Sequence, residues 1–303
     1  MIRLAEEAEI PAGVLNLVTT SQVEETVRVW MDDPRVRKIA FTGSTAVGKR
    51  LMKESAATLK RISLELGGHA PALVFGDACL ESAADAIVQS RFRHAGQTCI
   101  CVQRVYVHES VAKELSLELQ KRVEKLKVGN GSDPQTDIGP LIHEQAWLRV
   151  RSHVEDARAK GAVLLCGGQR LELVEPNRGY FCQPTLLDGV RPEMRVMREE
   201  TFGPVLTLSR FSTEAQAIAE ANTTAYGLVA YAFTRDLGRA HRLVERLEFG
   251  TVGINETVIV SPHLPFGGLK DSGMGKENGS ERVDEYLELK SAVVRLPEER
   301  AFE

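Results

Sequence analysis

Arg37-Lys38-Ile39-Ala40-Phe41-Thr42-Gly43-Ser44-Thr45-Ala46-Val47-Gly48-Lys49-Arg50-Leu51-Met52 is the stretch that decides the fold. Its first five residues end in an apolar run short enough for a strand. Thr42-Gly43-Ser44-Thr45 then turns the chain, and Val47, Leu51 and Met52 fall at helical spacing. A second strand follows at Arg61 to Leu66 and closes on Gly67-Gly68. Strand, helix, strand in this order is a βαβ unit, which joins parallel strands.

The same alternation runs outward in both directions. Upstream, Val14 to Val18 reads as a strand and Val23 to Trp30 as a helix. Downstream, Ala72 to Phe75 reads as a strand, Asp77 to Arg93 as a helix ending near Gly96, and Val105 to Val107 as a strand. Two amphipathic helices cover Val111 to Lys127 and His143 to Lys160. The pattern resumes with strands at Val205 to Leu208 and Val229 to Phe233 and helices at Glu214 to Ala221 and Arg239 to Leu247. This predicts an α/β protein with a mainly parallel sheet. Tyr286 to Leu296 alternates enough to be an edge or intersubunit strand. Three strands precede Gly67-Gly68, whereas a doubly wound dinucleotide sheet has about five or six. Further strands are therefore expected in front.

The bulk numbers narrow the function. The chain has 303 residues, enough for two cores, with 43% hydrophobic and 26% charged residues. A net charge of -4 and a pI near 6.1 leave no basic footprint for nucleic acid or anionic lipid. No apolar run is long enough to span a bilayer, and the acidic start is no signal peptide. A cytoplasmic protein is expected. Cys79, Cys99, Cys101, Cys166 and Cys182 are odd in number and scattered, so they are not a disulfide framework.

Three places carry candidate chemistry. Gly43-Ser44-Thr45-Ala46-Val47-Gly48 puts a helix N-terminus after a strand, which suits a pyrophosphate; a plain Ser N-cap fits equally well. In Leu64-Glu65-Leu66-Gly67-Gly68, Glu65 ends an apolar strand, where open α/β sheets place ligands; an outward-facing surface Glu is the alternative. In Gly96-Gln97-Thr98-Cys99-Ile100-Cys101, Cys99 lies in a loop that presents a thiol. A thiolate attacks carbonyl carbon once a base takes its proton, and Glu65 is the candidate base. Cys101 reads as a packed neighbour that would form a disulfide with Cys99 under oxidation. No metal is expected, because Cys99, Cys101, His94 and His108 lack the usual ligand spacing.

These segments, with Glu200-Thr201-Phe202-Gly203-Pro204 and Pro265-Phe266-Gly267-Gly268, resemble the aldehyde dehydrogenase superfamily in order and spacing along essentially the whole chain. The resemblance implies that residues 1–67 are the C-terminal part of a Rossmann-type NAD(P)-binding domain and 68–272 a complete α/β catalytic domain. Residues 273–303 would then carry the oligomerisation strand at 286–296. It implies Cys99 as nucleophile with its own N–H as oxyanion donor, and Glu65 as general base. It places Gly43, Ser44, Gly48, Leu66, Glu200 and Phe202 around an NAD or NADP cofactor. The loop Phe92-Arg93-His94-Ala95-Gly96-Gln97-Thr98-Cys99-Ile100-Cys101 is similar to the succinate-semialdehyde dehydrogenase branch. There Arg93 would grip the substrate's distal carboxylate, the planar task a guanidinium suits; a solvent-facing charge is the plainer reading. The branch's carboxylate-contacting serine aligns with Val260, leaving Ser261 beside it, so glutarate semialdehyde stays open as a substrate. An oxyanion asparagine, an adenosine-ribose lysine and a second substrate arginine would lie upstream of Met1. Little dehydrogenase activity is therefore expected from this chain alone, a homo-oligomer in the full-length form, and a non-catalytic remnant as the rival.

Overall fold

In the computed structural model, which describes residues 1–172 and 179–296, two helices lead in, α1 (Ile2–Glu7) and α2 (Val23–Asp32). The deciding unit follows as β1 (Lys38–Thr42), α3 (Thr45–Ser55) and β2 (Arg61–Glu65). Next come β3 (Ala70–Val74), α4 (Leu80–Phe92), β4 (Val102–His108), α5 (Ala112–Val123) and α6 (Glu144–Ala159). Short strands β5 (Val163–Cys166), β6 (Arg170–Leu171), β7 (Phe181–Cys182) and β8 (Thr185–Asp188) precede β9 (Val205–Phe211) and α7 (Glu214–Asn222). The chain then forms β10 (Tyr226–Gly227), β11 (Val229–Phe233), α8 (Leu237–Arg246) and β12 (Thr251–Ile254). It ends in β13 (Leu269–Lys270), β14 (Gly273–Met274) and α9 (Glu281–Asp284).

The larger sheet has seven strands in the order β12-β11-β3-β4-β9-β8-β5, parallel except at the β5 edge. β3 and β11 are buried at every residue, which is why both read as unbroken apolar runs. Leu115, Leu119 and Val123 recur every fourth residue on α5 and are fully buried, so one face of that helix closes the core. The smaller sheet has the order β1-β2-β14. β1 and β2 pair in parallel with Thr42 opposite Glu65, so their C-terminal ends open side by side. β14 returns antiparallel, with Gly273 opposite Glu65. Gly48 lets α3 approach this sheet, since a Cβ there would stand 2.4 Å from the Leu66 side chain.

Two expected strands are absent among the described residues. Val14 to Val18 has no ladder and stays exposed, with Val14 at 70%. Arg61 to Glu65 is accordingly the second strand, not the third. Tyr286 to Leu296 joins no ladder among the described residues, although Arg61 donates to Leu287 O and Lys38 lies over the Tyr286 ring. An apolar alternation becomes a strand only where a neighbour accepts its backbone hydrogen bonds. No described helix is long and apolar enough to cross a membrane.

Candidate active site

Glu65 ends β2, and the turn after it is bound tightly to its neighbours. The Glu65 carbonyl accepts from Gly43 N at 3.0 Å, while Leu66 N donates to Ser272 O at 2.9 Å. Buried Ser272 donates its hydroxyl to Gly67 O at 2.7 Å. Gly68 has no room for a side chain: a Cβ would lie 2.2 Å from the Cys99 carbonyl oxygen. That contact seats the Cys99 loop on the strand end carrying the carboxylate.

The loop itself is built by a run of left-handed residues after α4. His94 has φ 49°, Ala95 57° and Gly96 71°, a reversal that only the glycine makes without strain. Buried Tyr231 then donates its hydroxyl to Ile100 O at 2.7 Å and fixes the loop from below. Gln103 joins two more segments, donating to Gly68 O at 2.9 Å and accepting from Thr201 N at 3.2 Å. Glu200 reaches across to accept from Gly68 N at 2.9 Å. Phe202 is held at φ 48°, an unfavourable conformation for a bulky residue.

The result is a cavity of about 440 Å³ lined by Gly43, Ser44, Glu65, Leu66, Cys99, Glu200 and Phe202, with Arg149. Seven residues singled out in the sequence therefore meet in one place. Gly48 does not join them; it packs behind the wall against Leu66. Ser44 caps α3 loosely, its hydroxyl 3.5 Å from Val47 N, and lines the cavity as well. The outward-facing alternative for Glu65 does not hold, since it is only 8% exposed.

Burial dominates the electrostatics. It pushes the Glu65 carboxyl up to about 8, helped by the Glu277 charge and opposed by Lys276. Its Oε2 is buried without a hydrogen-bond partner. Burial likewise pushes the Cys99 thiol up to about 11, with the Glu200 charge adding to the effect. Glu200 rises to about 7 by burial, offset by the Gly68 N–H. Desolvation is the expected cause when an acid leaves water for an apolar pocket.

Arg93 lies on the other side of the nucleophile loop. With Thr98, Ile100, Cys101, Thr257 and Val258 it lines a second cavity of about 570 Å³. Thr98 belongs to both cavities. Ser261 lines neither and accepts from His263 N at 3.4 Å in its own loop. Cys101 points away from Cys99: its sulfur takes a hydrogen bond from Arg91 at 3.0 Å and is buried. Among the described residues no three His, Cys, Asp or Glu come together to hold a metal.

Sequence reading missed Arg149, Gln103, Tyr231 and Ser272. Arg149 stands four residues before buried His153 on α6, and both bond Thr201. That i,i+4 spacing was the only local signal, and it reads as an ordinary helix face.

A thiol, two carboxylates and a helix N-terminus thus gather around one cavity. Residues 1–292 match the aldehyde dehydrogenase family. The chain belongs to that family. It is 45% identical over 296 residues to the NADP(+) succinate-semialdehyde dehydrogenase of Escherichia coli, covering 98% of this chain and 60% of the relative. It is 44% identical over 296 residues to a glutarate-semialdehyde dehydrogenase of Pseudomonas putida, with the same 98% and 60% coverage. The crystal structure of a succinate-semialdehyde dehydrogenase from Burkholderia pseudomallei superposes with TM-score 0.90 at 46% identity, over 94% of this chain and 58% of that one. The chain thus spans about 60% of the length of the curated relatives it matches.

Proposed function

We propose that the Cys99 cavity is the reaction chamber of an NAD(P)-dependent oxidation of a carboxylated aldehyde, succinate semialdehyde foremost. One observation carries this: Ser44, Glu65, Cys99 and Glu200, from four separate segments, line one cavity. The residues fit a nicotinamide dinucleotide. Gly43 and Ser44 offer the α3 N-terminus to a pyrophosphate, Glu200 offers acceptors to ribose hydroxyls, and Phe202 offers a ring to the nicotinamide. A dinucleotide bound there supplies the hydride acceptor that turns a thiohemiacetal into a thioester.

The chain's own residues do the rest. As the Cys99 sulfur bonds the aldehyde carbon, its proton passes to Glu65 directly or through water, and the Cys99 N–H donates to the developing oxyanion. Once the hydride has left, Glu65 releases that proton to solvent, takes another from the water whose oxygen displaces sulfur, and passes it to the departing thiolate, which frees the acid and restores the thiol. Arg93, reached from the second cavity, holds the far carboxylate in this reading. The Pseudomonas putida relative named for glutarate semialdehyde keeps that longer substrate as the second reading. Homo-oligomer assembly through residues 286–296 and a redox role for Cys101 belong to the same proposal. The Cys101 sulfur would have to leave Arg91 to reach Cys99.

The test is thiol protection, which does not depend on turnover. Iodoacetamide should label Cys99 faster than Cys182, and succinate should slow Cys99 labelling. Arg93→Leu should weaken that protection by roughly tenfold or more, as loss of a charge-assisted hydrogen bond does. Equal protection by succinate and by neutral butyramide would contradict the carboxylated substrate. NAD(P)H formation from succinate semialdehyde measures the residual activity.

A further inference from the structure

Arg91 is a fully buried charged group that the proposed chemistry leaves unused. It stands in the last turn of α4 at 0% exposure, yet its hydrogen bonds go to uncharged acceptors. One guanidinium nitrogen, Nη1, donates to the Cys101 sulfur at 3.0 Å and to Val102 O at 3.4 Å. The other, Nη2, donates to Gly203 O. Its Nε is buried with no partner. A charge buried without a carboxylate is costly, so its place in the fold calls for a reason beyond filling space.

The acceptors supply one. Cys101 follows Cys99 by two residues, and Gly203 follows Glu200 by three. The Cys101 sulfur in turn reaches Gly96 O at 3.5 Å. Gly96 itself sits against Gly203, where an added Cβ would stand 2.5 Å from the Gly203 oxygen. Guanidinium, glycine turn and carbonyl therefore meet at one junction between the nucleophile loop and the Glu200 loop.

We propose that Arg91 is a positioning residue that locks these two loops together, through the Cys101 sulfur on one side and the Gly203 carbonyl on the other. A planar fork with donors in two fixed directions can hold both acceptors at once; a single ammonium cannot match that geometry. The relative placement of Cys99 and Glu200 is then set by a residue touching neither. Cys101, on this view, is the loop's anchor in the reduced protein.

Site-resolved alkylation and amide hydrogen exchange on the intact chain test this without relying on turnover. In Arg91→Met, Cys101 should label at least fivefold faster. Amides of residues 96–102 and 200–206 should both exchange faster, while Cys182 and the amides of β3 keep their wild-type protection. Arg91→Lys, which keeps the charge but loses the fork, should restore part of the protection in both loops. Unchanged protection in the Met variant, or loosening of one loop alone, would overturn the lock. Should the Met variant unfold, shown by Cys182 labelling as fast as Cys101, the Lys variant decides. Both loops loosened together then supports the proposal, and one or neither overturns it.

Discussion

Burial sets the proton balance of the thiol and carboxylate before any substrate arrives. Glu65 moves up to about 8, so near neutral pH the folded chain holds a proton that the unfolded chain has released. Because the folded state binds the extra proton, stability is fully present below the ordinary value of 4.5 and falls as pH rises to about 8. Glu65→Gln should remove that part of the slope, worth up to about 1.4 kcal/mol per pH unit. Urea midpoints measured at intervals between pH 4.5 and 9 check it; wild type and variant falling in parallel would contradict the buried carboxyl. At this scale Cys99 was legible from its glycine-bearing loop, whereas Glu65 by itself read as a surface carboxylate beside a turn and was singled out by the resemblance. Tyr231, Gln103 and Arg149 were not legible, because their partners lie between 35 and 131 residues away in the chain.

The elements explain how the pair is held. The parallel pairing of β1 with β2 and the helix between them follow from hydrophobic spacing alone, and that part of the fold was readable. The left-handed run at His94 and Ala95 was not, since neither residue type favours it; such conformations cost about 1–3 kcal/mol each. They persist because tertiary contacts at Gly68 and Gly203 leave the loop no other path. Gly68→Ala should therefore push the Cys99 carbonyl aside, costing roughly 1–3 kcal/mol of stability and slowing Cys99 labelling. Gly48→Ala meets only the tips of the Leu66 side chain, which can rotate, so its loss in chemical denaturation should be smaller. The reverse order would contradict the seating of the loop on Gly68.

The whole molecule exposes more surface than its mass calls for. It presents 18180 Å², against roughly 12,600 Å² expected of a compact monomer of 33.4 kDa. Leu289 and Val293 are almost completely exposed, and Val14, Leu15, Leu17 and Val18 are between 49% and 70% exposed. Both segments were expected to be strands, and among the described residues neither joins a sheet. Patches of this kind mark association sites. Light scattering should show concentration-dependent self-association, reduced by combining Leu289→Lys with Val293→Lys. A monodisperse monomer at all concentrations would contradict it.

The pH profile of Cys99 alkylation, resolved by mass spectrometry from the exposed Cys79, tests the central pairing most directly. Cys79 serves as the reference because a Ser82 hydrogen bond lowers its thiol independently of the cavity. If Glu65 shares the chamber with the sulfur, the Cys99 profile bends near pH 8 and Glu65→Gln removes the bend while leaving Cys79 unchanged. Superimposable Cys99 profiles for wild type and Glu65→Gln would show that the carboxylate does not govern the thiol.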